Sequence, residues 1–280
     1  MNWLLTLSLS ILSFTAVAAA PLISFPKVEN NVAYSKVAAL SFTPADEQLA
    51  YGTDPLQYAL FWRGNQLENK APQPLVILIH GGCWLSAYDI QHTYALSTGL
   101  AQAGFNVWSI EYRRSGDAGG GWPGSYEDIK AGILASASYN SGEFDLADSV
   151  LVGHSAGGHL ALLAGGVIKP LKGVIGLAAI TDIEEYATGA NSCQQVTKGF
   201  MHGMPADKPT EYQMANPSKQ PIHVNTIILQ GDKDTIVPAF ALDQLDRKVI
   251  MLEGVGHFDW IHPGSAAFVA LTQQLNGLTK

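Results

Sequence analysis

The feature that most restricts how this chain can fold is the turn Gly153-His154-Ser155-Ala156-Gly157-Gly158. It lies between the apolar run Ser149-Val150-Leu151-Val152 and the small-residue stretch Ala156 to Val167. The run reads as a buried strand, and the Ala-, Leu- and Gly-rich stretch after it as a helix. A Gly-x-Ser-x-Gly pattern between strand and helix predicts a sharp turn that holds Ser155 with unfavourable dihedrals. Glycines at 153 and 157 leave room where the chain doubles back. Ser155 Oγ would then project above the sheet at a helix N-terminus, where the dipole favours developing negative charge. A serine hydroxyl is a weak nucleophile by itself, so the pattern also predicts a base elsewhere in the chain.

The 280-residue chain has the rhythm such a turn requires. Leu75–Ile79 is a continuous apolar run, as parallel strands covered on both faces tend to be. Further strands are predicted at Phe105–Tyr112, Gly173–Ala179, Thr226–Leu229 and Lys248–Leu252. Helices are predicted at His92–Ala103, Tyr126–Tyr139 and Ala266–Leu275, with Ser125 as N-cap of the second and Asp128 in its first turn. Residues 21–50 read as a loosely structured lead-in. Alternating strands and helices imply an α/β fold, a doubly wound and mostly parallel sheet flanked by helices, in one domain over residues 20–280. With 47% hydrophobic and 14% charged residues, the chain has ample apolar surface for that core. Ahead of it, residues 1–20 carry no charged side chain, and Ala16-Val17-Ala18 has the small-x-small form of a cleavage site. This predicts a signal peptide over residues 1–19 and an exported protein, periplasmic or secreted. The run is short of the roughly 20 apolar residues of a bilayer span and lacks a basic flank, so no stable membrane insertion is expected after cleavage.

Active sites of such sheets lie beyond the carboxyl ends of the strands. After Leu75–Ile79 comes His80-Gly81-Gly82-Cys83-Trp84, a run whose backbone N–H groups suit an oxyanion hole, with the Ala156 N–H as a second donor. His80 is expected to brace that loop. After Thr226–Leu229 come Asp232 and Asp234. Asp234 stands four residues before Pro238, in a Gly-x-x-Asp-x-x-Val-Pro arrangement, and is the expected acid; Asp232 reads as a turn-former. After Lys248–Leu252 comes Gly254-Val255-Gly256-His257-Phe258, which makes His257 the expected base, with His262 a competitor. The order Ser155, Asp234, His257 is the order this fold uses. His92, His154, His159, His202 and His223 do not pair with Cys or acidic residues at ligand spacing, so no metal is expected.

The motifs His80-Gly81-Gly82-Cys83-Trp84, Glu111-Tyr112-Arg113, Gly153-His154-Ser155-Ala156-Gly157-Gly158-His159 and Gly256-His257-Phe258-Asp259 together resemble the esterase and arylformamidase branch of the α/β hydrolases. That branch carries His-Gly-Gly-x-Trp where hormone-sensitive-lipase relatives carry His-Gly-Gly-Gly. The resemblance covers about residues 50–280. It implies the α/β-hydrolase fold and hydrolysis of carboxylic esters, or related acyl groups, without a cofactor. It also places the oxyanion donors at Gly81 or Gly82 with Cys83 and Ala156. Residues 181–216 break the strand–helix rhythm, and Glu184, Glu185, Tyr186, Phe200, Met201 and Tyr212 suit a small lid over the serine. Trp84 and Trp122 are candidates to line the substrate pocket.

The expected function is that of a serine carboxylesterase acting on small acyl esters through an acyl-enzyme on Ser155. The alternatives are an arylformamidase, a serine peptidase and a catalytically silent binding protein. A formal charge of −8 with no Lys/Arg cluster argues against a nucleic-acid partner. Cys83 and Cys193 both follow carboxyl ends of strands, on the same side of the sheet. In an exported chain they are candidates for a disulfide tying the 181–216 excursion to the oxyanion loop.

Overall fold

The computed structural model describes residues 22–65, 74–139, 142–239 and 242–278, so the leader expected at residues 1–19 lies outside the described residues. Its centre is one eight-stranded sheet. The strands are β1 (Glu47–Ala50), β2 (Tyr58–Trp62), β3 (Leu75–Ile79), β4 (Asn106–Ile110), β5 (Val150–His154), β6 (Gly173–Leu177), β7 (Thr226–Gly231) and β8 (Lys248–Leu252). They lie in the order β1-β2-β4-β3-β5-β6-β7-β8. All pairs from β4 to β8 are parallel, while β1/β2 and β2/β4 are antiparallel.

The antiparallel edge corrects the expectation for residues 21–50, which hold a short helix α1 (Tyr34–Ala38) and strand β1. β1 reads Glu-Gln-Leu-Ala and is largely exposed, so it has no alternation to betray it. β2 is a five-residue apolar run, too short to tell from buried helix by periodicity.

Both faces of the sheet are covered, which is why β3, β6 and β5 up to His154 are apolar and all three strands are fully buried. On one face, Ile77 and Leu151 pack with Ile129 and Ile133 of α3 (Gly124–Ser138) and Leu160 and Leu163 of α4 (Ala156–Val167), with α2 (Tyr94–Gln102) lying on the other face. There Val76 and Val152 pack with Leu96 and Leu100 of α2 and Leu271 and Leu275 of the closing helix, Ala266–Leu278. α3 starts two residues earlier than expected, and Ser125 does not cap it. Ser125 Oγ instead donates to the Arg113 carbonyl (2.5 Å), and Asp128 is held by Arg113 Nε (2.8 Å) and Nη2 (2.7 Å).

The excursion over residues 181–216 forms α5 (Ile183–Tyr186), α6 (Ser192–Phe200) and α7 (Pro209–Ala215), which makes the closing helix α8. Its aromatic side chains do not form a lid surface. Tyr186, Phe200, Met201 and Tyr212 are buried in the core on the α3/α4 face, because the excursion packs down on α4. His159 of α4 hydrogen-bonds the Ala215 carbonyl through Nε2 (2.6 Å), and its burial pushes the imidazole down to about 4, so it stays a neutral brace. Asn191 Nδ2 reaches the carbonyl of Ile236 (2.9 Å), in the loop after β7. Phe200 stacks on Trp84 with ring centroids 4.7 Å apart and planes 12° apart. Phe200→Ala, at the centre of this packing, should lower unfolding free energy by about 3–5 kcal/mol. Urea denaturation followed by tryptophan fluorescence reads the loss; a change below about 1 kcal/mol would mean that the excursion is not part of the core.

Candidate active site

Ser155 sits where β5 turns into α4, at φ 56° and ψ −120°, a conformation that costs an L-residue energy and needs support from its surroundings. The support is local. The Ser155 amide donates to the Leu177 carbonyl of β6 (2.9 Å), and the Ser155 carbonyl accepts from the His159 amide (3.1 Å). α4 runs hard against the end of β3: a side chain at Gly157 would collide with the His80 and Ile79 carbonyls. In return, a Cβ at Gly81 would stand 2.8 Å from the His154 carbonyl and 3.0 Å from Ser155 Cβ. The serine turn and the His80-Gly81 loop are therefore pressed together backbone to backbone.

Beyond Gly81 the loop does something unusual for L-residues. Gly82, Cys83 and Trp84 take φ values of 103°, 52° and 56° in succession. Three such residues in a row turn the chain tightly, and the Leu85 amide closes the turn on the Gly82 carbonyl (2.9 Å). Neither the Gly82 nor the Cys83 amide donates to another described residue. Ala156, the first residue of α4, likewise has an amide with no partner in its own helix. Two constraints hold the loop in this form. A disulfide joins Cys83 to Cys193 of α6. Trp84 is fully buried, between Phe200 and the edge of His159. His80 braces the base of the loop as the sequence suggests: Nε2 meets Glu111 Oε1 (2.9 Å) and Nδ1 the Gly81 carbonyl (2.8 Å). Burial alone would raise the Glu111 carboxyl, but His80, Arg114 and the Tyr112 amide outweigh it and hold it below its ordinary value.

His257 Nδ1 lies 2.7 Å from Asp234 Oδ2. Asp234 Oδ1 accepts the amides of Ile236 (2.9 Å) and Val237 (2.8 Å), which gives the spacing to Pro238 a physical meaning: the carboxylate closes its own loop. Asp232 points elsewhere, accepting from the Gly254 amide (2.6 Å). His262 accepts from the Gly264 amide through Nδ1 (3.0 Å) and lies off the site. Ser155 and His257 both line a cavity of about 190 Å³, together with Gly82, Cys83, Asn191, Ser192, Cys193, Ile236, Tyr34, Tyr88, His92, His154 and Phe258.

Neither tryptophan expected in the pocket is there. Trp84 is consumed by core packing, and Trp122, stacked on Tyr126, lines a separate groove with Met201 and Met214. Of the excursion, only Asn191, Ser192 and Cys193 reach the cavity. Among the described residues no His/Cys/Asp/Glu group is arranged to hold a metal ion, and no helix is long and apolar enough to cross a membrane.

Three residues matter to this geometry that sequence reasoning left without a role. Gln230 Nε2 contacts Asp234 Oδ2 (3.3 Å) and the Val237 carbonyl (3.0 Å), bracing the acid from below. His154 Nε2 donates to the His257 carbonyl (3.0 Å). Asp259 is fully buried and accepts from the amides of Gly256 (2.6 Å), Asn31 (2.8 Å) and Val32 (3.3 Å). The backbone of His257 is thus pinned on both sides, and the same carboxylate fastens the segment that brings Tyr34 to the cavity. A charged residue two places after His257 was the available signal for Asp259.

Comparison with known proteins adds the following. The family model BD-FAE matches residues 65–249. Esterase LipC of Mycobacterium tuberculosis is 36% identical over 119 residues, 42% of this chain and 29% of that protein. Probable carboxylic ester hydrolase LipM of the same organism is 32% identical over 106 residues, 37% of this chain and 24% of that protein. The matches thus span under a third of the length of these curated relatives. Esterase B from Lactobacillus rhamnosis shares the fold, with a TM-score of 0.71 at 18% identity, over 87% of this chain and 90% of that one.

Replacing Asp259 by Ala removes the acceptor of three N–H groups, the buried one of Gly256 and the part-buried ones of Asn31 and Val32. It should cost about 3 kcal/mol of stability and speed amide hydrogen exchange at Asn31, Val32 and Gly256 before exchange elsewhere in the sheet. Unchanged protection at Gly256 would show that the His257 loop is held by other contacts.

Proposed function

The chain belongs to the BD-FAE family, whose model spans residues 65–249, and from that membership and the site geometry we propose a serine carboxylesterase acting on small acyl esters. The observation that carries the reading is the Asp234–His257 pair, 2.7 Å apart, sharing one small cavity with a serine at a strained strand–helix turn. Asp234 holds the Nδ1–H of His257, leaving Nε2 as the base. As Ser155 Oγ bonds to the ester carbonyl carbon, its proton passes to Nε2, and the carbonyl oxygen takes the negative charge. The amides of Ala156 and of the Gly81-Gly82-Cys83 run are its donors, preorganised by the turn, the disulfide and Trp84. Collapse expels the alkoxide, which takes the proton back from His257. Water then repeats the sequence on the acyl-enzyme and releases the acid.

The size of the cavity supports a small acyl group. Clefts for drug-sized ligands run to roughly 300–1,000 Å³, and about 190 Å³ is available here. Asn191, Ser192, Cys193 and Ile236 are among the residues that bound it. We also read residues 1–19 as a cleaved leader that exports the protein, a reading supported by the disulfide, which persists in oxidising compartments.

Purified protein should hydrolyse acetyl and butyryl nitrophenyl esters and lose that activity by a factor on the order of 10⁶ in kcat with Ser155→Ala or His257→Ala. Asp234→Asn should cost roughly 10⁴, since it removes orientation and imidazolium stabilisation and not bond-making. Asp232→Asn should change little. A larger loss at Asp232 than at Asp234, or full activity without Ser155, would contradict the proposed roles.

A further inference from the structure

His80 stands directly before Gly81 and is fully buried, and its neighbours fix its ring. Glu111 Oε1 meets Nε2 (2.9 Å), and Tyr112 stacks on one face, with centroids 4.5 Å and planes 25° apart. Glu111 is itself held, Oε1 accepting from the Tyr112 amide (2.8 Å) and Oε2 from the Ile90 amide (3.0 Å). Tyr112 Oη donates to the His80 carbonyl (3.1 Å). The Glu111-Tyr112 pair of the sequence thus serves one side chain, His80.

The other ring nitrogen faces the loop. Nδ1 lies 2.8 Å from the Gly81 carbonyl, which can only accept, so Nδ1 carries a hydrogen and donates it. The Gly81–Gly82 peptide is trans. In a planar trans peptide the C=O and the N–H point in opposite directions. With its carbonyl drawn toward the buried ring, this peptide turns its N–H, which belongs to Gly82, away from the ring. Gly82 lines the cavity that Ser155 lines, and its amide donates to no described residue. The peptide lies close against the serine turn, since a Cβ on Gly81 would stand 3.0 Å from Ser155 Cβ. A hydrogen bond to the carbonyl also polarises the peptide and strengthens its N–H as a donor.

We propose that His80 is a positioning residue for the reaction: its Nδ1–H holds the Gly81 carbonyl so that the Gly82 N–H is aimed into the cavity as a donor to the carbonyl oxygen of the ester. Glu111 and Tyr112 act through it, by fixing the ring. This rests on the esterase reading above and, within the Gly81-Gly82-Cys83 run, assigns a donor to Gly82.

The test separates the two hydrogen bonds of the ring. In His80→Gln the side-chain amide takes the place of Nε2 and keeps the contact with Glu111, but leaves the Gly81 carbonyl without its donor. In His80→Asn the amide takes the place of Nδ1 and keeps the donor to Gly81, but loses Glu111. Removing an oxyanion donor outright costs about 10²–10³ in kcat, so a donor left unaimed should cost His80→Gln about 10–100-fold in kcat on nitrophenyl acetate, with KM changed by less than about threefold. His80→Asn should recover about tenfold of that loss. A purely structural brace predicts the opposite order, because His80→Asn strips the buried Glu111 carboxylate of a partner. A kcat for His80→Gln within about threefold of the wild type, or His80→Asn no faster than His80→Gln, overturns the proposal. If neither variant folds, the wild type decides. Phosphonylation of Ser155 by a fluorophosphonate sets a tetrahedral oxygen where the oxyanion forms, and the Gly82 amide proton should then move downfield in the NMR spectrum. A Gly82 amide that does not move on a phosphonylated enzyme overturns the role of His80 alone. Failure of Ser155 to react overturns the esterase reading, and this proposal with it.

Discussion

Ser155 is held at φ 56° by contacts that also place every other part of the site. Such a conformation costs on the order of 1–3 kcal/mol and persists only where the surroundings over-determine it. Here they do so through α4, whose first ten residues are all buried. The helix lies so close to the end of β3 that Gly157 meets the carbonyls of Ile79 and His80. Those carbonyls begin the loop that offers Gly82 and Cys83. Packing a small-residue helix onto a parallel sheet therefore orients the serine turn and sets its distance to the loop after β3 in one act. A larger side chain at 153 or 157 would disturb both together.

The second half of the site is fastened from outside the sheet. The loop after β3 passes through three left-handed residues, two of which are not glycine. Its cost is carried by the bond between Cys83 and Cys193 and by the burial of Trp84 against Phe200. The excursion that carries Cys193 and Phe200 thus acts as a clamp on the loop, tied to α4 by His159 and to the Asp234 loop by Asn191. On the opposite side, Asp259 fastens the Gly256-His257 turn to the segment around Asn31 and Val32, which presents Tyr34 to the cavity. Residues that look peripheral in the chain hold the loops that bring Cys83 and His257 to the cavity.

What could be read in the amino-acid sequence follows from how local each signal is. β3, β5 and α4 were legible because a strand buried on both faces leaves a continuous apolar run, and because the turn between β5 and α4 needs residues of specific size. The pairing of Asp234 with His257 was legible because both follow strands of the parallel sheet, at its carboxyl ends. β1 was not, since a short edge strand that is mostly exposed needs no hydrophobic pattern. The pocket was misread for a related reason: tryptophan is large enough to serve either a cavity or a core, and only the packing of Phe200 and His159 around Trp84 decides between them. Asp259 acts through hydrogen bonds to Asn31 and Val32, at the far end of the chain, and nothing in the chain's periodicity announces it.

The central claim is that the strained turn and the Asp234–His257 pair make Ser155 a nucleophile that its exposed counterparts on the surface are not. Intact-mass and peptide mass spectrometry after treatment with a fluorophosphonate measures this most directly. The account predicts a single adduct, on the peptide containing Ser155, formed rapidly in the wild type and lost in His257→Ala. A fluorophosphonate adduct elsewhere with Ser155 unmodified, or equal labelling of Ser155 with and without His257, would contradict it.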